Sequence, residues 1–204
     1  MKKIIAPVVI AALLWFVMFS PWTRDYVNFW ITMGIAAVAL AVMSAFLCDD
    51  FKKQFSLSLK DAMIGLVSAA VLYLVFYLGD FFSSLLFHFA KGQVNSIYLM
   101  KEGQNPLYLG LLLAFFIGPA EEIFWRGFVQ RSLAAKYGQW QALVAASLVY
   151  TLVHVWSFNF MLIMAAMVCG VFWGLIYKYN RNITTLIISH AVWDVLVFIV
   201  FPIL

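Results

Sequence analysis

Charge is what this sequence has least of. Of its 204 residues, 11% are Asp, Glu, Lys or Arg, against about 25% in an ordinary soluble domain. Hydrophobic residues make up 66%, and the mean hydropathy is +0.98. A water-soluble chain of this size cannot hide that load, because too much surface is left to cover. A soluble globular protein is therefore excluded, and so is a disordered chain. Cysteine is almost absent. Cys48 and Cys169 stand alone, without C-x-x-C spacing, which excludes a disulfide scaffold or a cysteine zinc site and leaves both as small apolar side chains. With 11 Gly and 5 Pro, there is no fibrous or low-complexity pattern. No polar stretch is long enough to fold by itself. What remains is an all-α protein, a polytopic transmembrane helix bundle in one integrated membrane domain.

A bilayer core about 30 Å thick needs roughly 20 helical residues. Candidate spans cover residues 4–19, 27–47, 61–78, 107–129, 140–155, 158–177 and 184–203. That gives about seven helices; the apolar run at 81–90 either extends the third span or forms an eighth or re-entrant piece, and 91–106 reads as a polar loop. Residues 1–106 read as N-terminal transmembrane helices and loops, and 107–204 as the helical core that carries the chemistry. Lys2 and Lys3 open the first span like a signal peptide, but Ser20-Pro21-Trp22 is a poor cleavage site, so the span reads as a retained helix. Placing the N-terminus in the cytoplasm puts Lys2, Lys3, Lys52, Lys53, Lys60, Arg131, Lys136, Lys178 and Arg181 inside, leaving Arg24, Lys91 and Lys101 outside. Cytoplasmic loops collect Lys and Arg, so the net charge of +4 reads as topology in a cell membrane, not as a nucleic-acid surface. Trp22, Trp30, Trp140 and Trp156 fall near span ends, where indole rings favour the interface. They read as lipid-facing bulk. No pair of Gly/Pro-broken helices recurs in two halves, which weakens a transporter reading.

Some charges sit where lipid should exclude them. Residues 107–118 would make a helix only about 18 Å long, too short to cross. To span, it must continue through Pro119, Glu121, Glu122 and Arg126. Each charge costs roughly 2.5–3.5 kcal/mol at a helix centre, so these side chains must face protein or a watery cavity. Pro119 is expected to kink the helix. Glu122 and Arg126, four apart, share a face and can pair. Glu121 lies about 100° away and is the freer carboxylate, suited to a general base. The bland alternative is a charged helix end at the interface.

Two histidines repeat the anomaly. His154 closes an apolar span. His190 has Asp194 four residues on, close enough to accept a hydrogen bond and fix the ring tautomer. His88 stays unassigned. Two carboxylates and two imidazoles meeting in a membrane cavity can support hydrolysis, one acid activating water and the imidazoles donating to an oxyanion. The same residue types can also hold a divalent metal.

In order and separation, the motifs Glu121-Glu122-x-x-x-Arg126, Tyr150-x-x-x-His154 and His190-x-x-x-Asp194 resemble those of the CPBP family. That family comprises type II CAAX prenyl endopeptidases and bacteriocin-processing or immunity (Abi) proteins. The resemblance runs over roughly residues 107–204. It implies an intramembrane endopeptidase acting on a peptide or membrane-associated protein, with Glu121 activating water, Glu122 and Arg126 orienting the site, and His154 and His190 polarising the scissile carbonyl. Asp194 takes a position where Asn is common. Tyr150 stands where Phe is usual, a change expected to be harmless. The resemblance implies either no cofactor or one divalent metal, zinc included, held by Glu121, His154, His190 and Asp194.

Other intramembrane proteases are not matched. There is no H-E-x-x-H and no G-x-S-x-G, and Tyr77-Leu78-Gly79-Asp80 lacks the first glycine of G-x-G-D. Arg131 and Lys136 suggest cleavage near the cytoplasmic face. The competing readings are a non-enzymatic immunity or scaffold protein of the same fold and a small proton-coupled transporter.

Overall fold

The computed structural model describes residues 2–203; Met1 and Leu204 lie outside the described residues. The described residues form helices and no strand. Helix α1 is Lys2–Phe19 and α2 is Phe29–Leu47. Then come α3, Leu59–Leu86, α4, Ala90–Leu99, and α5, Pro106–Tyr137. Helix α6 is Gln139–Val153, α7 is Phe160–Asn180 and α8 is Ile183–Val200. By length and composition, α2, α3, α5, α7 and α8 can each cross a membrane, while α1 is a shorter apolar helix.

The helix starts are written in the sequence. Asn28, Ser58, Asn105, Asn159 and Asn182 each accept a backbone N–H from the first turn that follows. Such caps satisfy donors that a helix cannot pair internally. Between α5 and α6 the chain turns at Gly138, whose φ of +87° favours glycine.

One part settles an alternative and another differs from the sequence reading. The apolar run at 81–90 is no separate piece, because α3 simply continues to Leu86 over 28 residues. The stretch at 91–106, read as a loop, contains α4 instead. No side chain caps that helix, so it carries no start signal. It is fixed by tertiary partners: Lys91 pairs with Asp80 at 2.7 Å, and Gln93 accepts from Asn159 Nδ2 and Met161 N at 2.9 and 3.0 Å.

Helix crossings are close where residues are small, as expected when packing replaces the hydrophobic drive between helices in lipid. Against α3, α8 lies so near that a Cβ on Gly65 would stand 2.9 Å from the Thr185 carbonyl. At that crossing Ser68 Oγ donates to Ser189 Oγ at 2.9 Å. Helices α6 and α7 meet at Gly170, where a Cβ would come within 3.2 Å of the Ser147 backbone. Through the middle runs α5, packed on α2, α6 and α8.

Candidate active site

The centre of α5 is not regular. Five residues of ordinary helix, Gly118–Glu122, lie between widened i→i+5 turns at Leu113–Ile117 and Ile123–Gln130. Such turns are rare and recur at functional sites. The upstream one makes room for the Pro119 ring, which would otherwise meet the carbonyl four residues back. As expected, the helix continues past Pro119, and it runs on to Tyr137.

Glu121, Glu122, Arg126, His154, His190 and Asp194 are all buried, at 6% exposure or less, and the structure brings them together. This removes the reading of Glu122 and Arg126 as a surface pair. Arg126 Nη1 donates to Glu122 Oε1 at 2.8 Å, and its Nη2 donates to the Cys169 and Gly170 carbonyls at 3.1 and 3.4 Å. The guanidinium also lies over the Tyr150 and Trp173 rings, at 5.0 and 5.4 Å. His190 Nδ1 meets the same Glu122 Oε1 at 2.8 Å. Both partners use the one oxygen, and Glu122 Oε2 is buried without a hydrogen-bond partner among the described residues.

His190 departs from the sequence expectation. Its Nε2 is 3.6 Å from Asp194 Oδ2, too far for a hydrogen bond. The ring is therefore oriented by Glu122, not by Asp194. Trp173 stacks on it at 3.8 Å between centroids and donates its indole N–H to Ser189 Oγ at 3.0 Å.

Glu121 and His154 share Tyr150. The tyrosine hydroxyl donates to Glu121 Oε2 at 2.9 Å, while its carbonyl accepts from His154 Nδ1 at 2.7 Å. Trp15, from α1, donates to His154 Nε2 at 3.2 Å. Both imidazole nitrogens are then engaged, which fixes the tautomer with its proton on Nδ1.

Trp15 and Trp173 are residues the sequence reading missed, and Tyr150, read there as a harmless stand-in for Phe, uses its hydroxyl to hold Glu121. Tyr150 was legible in principle, a hydroxyl four residues before a buried histidine in an apolar helix. Nothing about Trp15 or Trp173 distinguishes them from the other tryptophans. Trp30 is likewise no lipid-facing bulk: it is buried and donates to the Met100 carbonyl at 2.8 Å. Cys48 and Cys169 are free thiols, the latter buried.

Glu121, His154, His190 and Asp194 line one cavity of about 140 Å³, otherwise walled by apolar side chains. As arranged, they do not fit a four-ligand metal site. His154 Nε2 has its lone pair directed at Trp15, and among the described residues no group of three His, Cys, Asp or Glu is grouped to hold an ion.

The fold and site define a multi-pass membrane protein with carboxylates and imidazoles gathered inside the helix bundle. Residues 103–196 match the family model described as type II CAAX prenyl endopeptidase Rce1-like, a stretch holding Glu121, Glu122, Arg126, His154, His190 and Asp194. That match supports the resemblance to the CPBP proteases and, with it, a CAAX-type intramembrane protease in general terms. No curated protein and no solved structure gave a match.

Proposed function

We propose that this chain is an intramembrane endopeptidase in which Glu121 activates the attacking water. One observation carries the reading: of two adjacent buried acids, Glu122 is held by Arg126 and His190, while Glu121 lines the cavity with one oxygen oriented by Tyr150. A water held by the other oxygen loses a proton to Glu121 as its oxygen attacks the peptide carbonyl. The carbonyl oxygen becomes the oxyanion. His190 Nε2, which makes no hydrogen bond among the described residues, is placed to donate to it when protonated. Collapse breaks the C–N bond, and the proton taken by Glu121 passes to the leaving amine. A carboxylate alternating between base and acid is a known route for hydrolysis. Asp194 faces His190 and would stabilise its charged form. His154, locked between Tyr150 and Trp15, is a positioning residue in this scheme.

The substrate is a peptide or membrane-associated protein, and the lipid bilayer is the other partner. The test compares new protein N-termini in cells carrying wild type or Glu121→Gln at matched expression. A small set of termini lost in the variant supports the reading. Identical profiles, with a phenotype still produced by deletion, would favour a binder or immunity protein of the same fold. Cleavage by purified protein should also survive a zinc chelator. Loss of activity on chelation, restored by zinc, would return the metal set to consideration.

A further inference from the structure

We propose that substrate reaches this site from the extracytoplasmic side, so that the chain cuts a peptide segment in or beyond the outer half of the membrane. The proposal rests on the protease reading for its chemistry but on separate observations for its direction.

The cavity is one-ended. Its deep wall is formed by Glu121, His190 and Trp173, each buried. Its outer wall is formed by Phe29 at the start of α2, Met100 just past α4, and Leu162 near the start of α7, all partly exposed. Those three lie where the chain turns between α1 and α2, between α4 and α5, and between α6 and α7. The opening is therefore at that end of the bundle. Glu121 lies 15 residues from Pro106, or about 22 Å of helix from that end, which is near mid-membrane.

The opposite end is closed. Gln130 Nε2 donates to the Gly174 carbonyl at 2.9 Å, Tyr177 hydroxyl donates to Gln54 Oε1 at 2.9 Å, and Phe124 and Phe128 are 1% exposed. This closed end carries Lys52, Lys53, Lys60, Arg131, Lys136, Lys178 and Arg181, while the open end carries Arg24, Lys91 and Lys101. The bias assigns the closed end to the cytoplasm. The mouth then faces outward, contrary to the cytoplasmic-face cleavage suggested by Arg131 and Lys136 alone. The chamber's size narrows the substrate. Its 140 Å³, mostly apolar, is close to the roughly 150 Å³ apolar cavity that takes one benzene, so it suits one apolar side chain beside the scissile bond.

The experiment uses the full chain with Cys48→Ala and Cys169→Ala, adding Leu162→Cys, Met100→Cys or Lys136→Cys singly. Each is treated with a membrane-impermeant maleimide, in intact cells with a permeable outer envelope and in inverted vesicles. We expect the first two to label from outside and Lys136→Cys only in inverted vesicles. Labelling of Leu162→Cys and Met100→Cys only in inverted vesicles, or from both sides, overturns the proposal whatever the activity. In parallel, one apolar test peptide is fused to the outer or the cytoplasmic end of a membrane anchor. Glu121-dependent cutting of the outer fusion alone supports the proposal, and cutting of the cytoplasmic fusion alone overturns it. If neither is cut and the cellular N-termini do not depend on Glu121, the protease reading fails and takes the substrate claim with it, while the labelling still reports which side the cavity faces.

Discussion

Glu122 Oε1 receives both Arg126 and His190 at 2.8 Å, so one oxygen joins α5 to α8. Removing either partner leaves a carboxylate buried with less support than it has now. Losing one member of a buried ion pair typically costs about 3–5 kcal/mol. Arg126→Ala should therefore lower the unfolding temperature in detergent as well as abolish cleavage. Tyr150 gives a finer test. Phe in its place keeps the ring over Arg126 but deletes the hydrogen bond to Glu121. A hydrogen bond to a charged group contributes about 1.5–3 kcal/mol. If Tyr150 acts by orienting the base, Tyr150→Phe should reduce kcat by roughly 10-fold or more, with KM nearly unchanged and the unfolding temperature lowered by the lost buried bond. An unchanged kcat would show the hydroxyl to be incidental. At this scale the sequence was informative wherever spacing along one helix decides a contact, as for Glu122 and Arg126. It was misleading at His190, because the partner across the helix interface is nearer than the one four residues along.

Among the elements, α5 and α8 form the reacting centre, and Gly118 sets their separation. A Cβ there would lie 3.2 Å from the Leu113 carbonyl, 3.3 Å from Asp194 Oδ2 and 3.4 Å from Ala191 N. Two of these neighbours are backbone and cannot rotate away. Overpacking of this kind costs about 1–3 kcal/mol. Gly118→Val should push α8 outward and stretch the His190–Glu122 contact. We expect loss of most cleavage with a folded, membrane-inserted protein. Full activity in Gly118→Val would show that the spacing has slack. The long apolar helices were legible because their lengths and end caps are local properties. Helix α4 was not, since its partners are Asp80 on α3 and Asn159, the cap of α7, and nothing within residues 91–99 announces them.

For the molecule as a whole, the family match begins at residue 103, yet the site does not. Trp15 of α1 holds His154, and Phe29, Trp30 and Met33 of α2 line the cavity. A division at residues 106 and 107 describes the order of the chain but not a boundary in the site. Residues 107–204 expressed alone should be inactive, while Trp15→Phe in the full chain should weaken cleavage by freeing His154 Nε2. Measuring both on one substrate separates the loss of a wall from the loss of one hydrogen bond. The sequence could not show this, because an apolar helix advertises burial but not the neighbour it is buried against.

The widened turns beside Gly118–Glu122 bear on which length variants this helix could survive. Each holds one residue more than a regular turn needs. Deleting one residue from Leu113–Ile117 could restore ordinary winding without a break, so the helix would persist. Because the extra residue is taken up inside the widened turn, the two halves would keep their facing, whereas a deletion within the regular turns Gly118–Glu122 would rotate them by about 100° and turn Arg126 away from its partners. A one-residue deletion within Leu113–Ile117 should therefore keep more cleavage than one within Gly118–Glu122, with both variants inserting in the membrane. Length changes in this helix would be confined to its widened turns and to the connections on either side of α5.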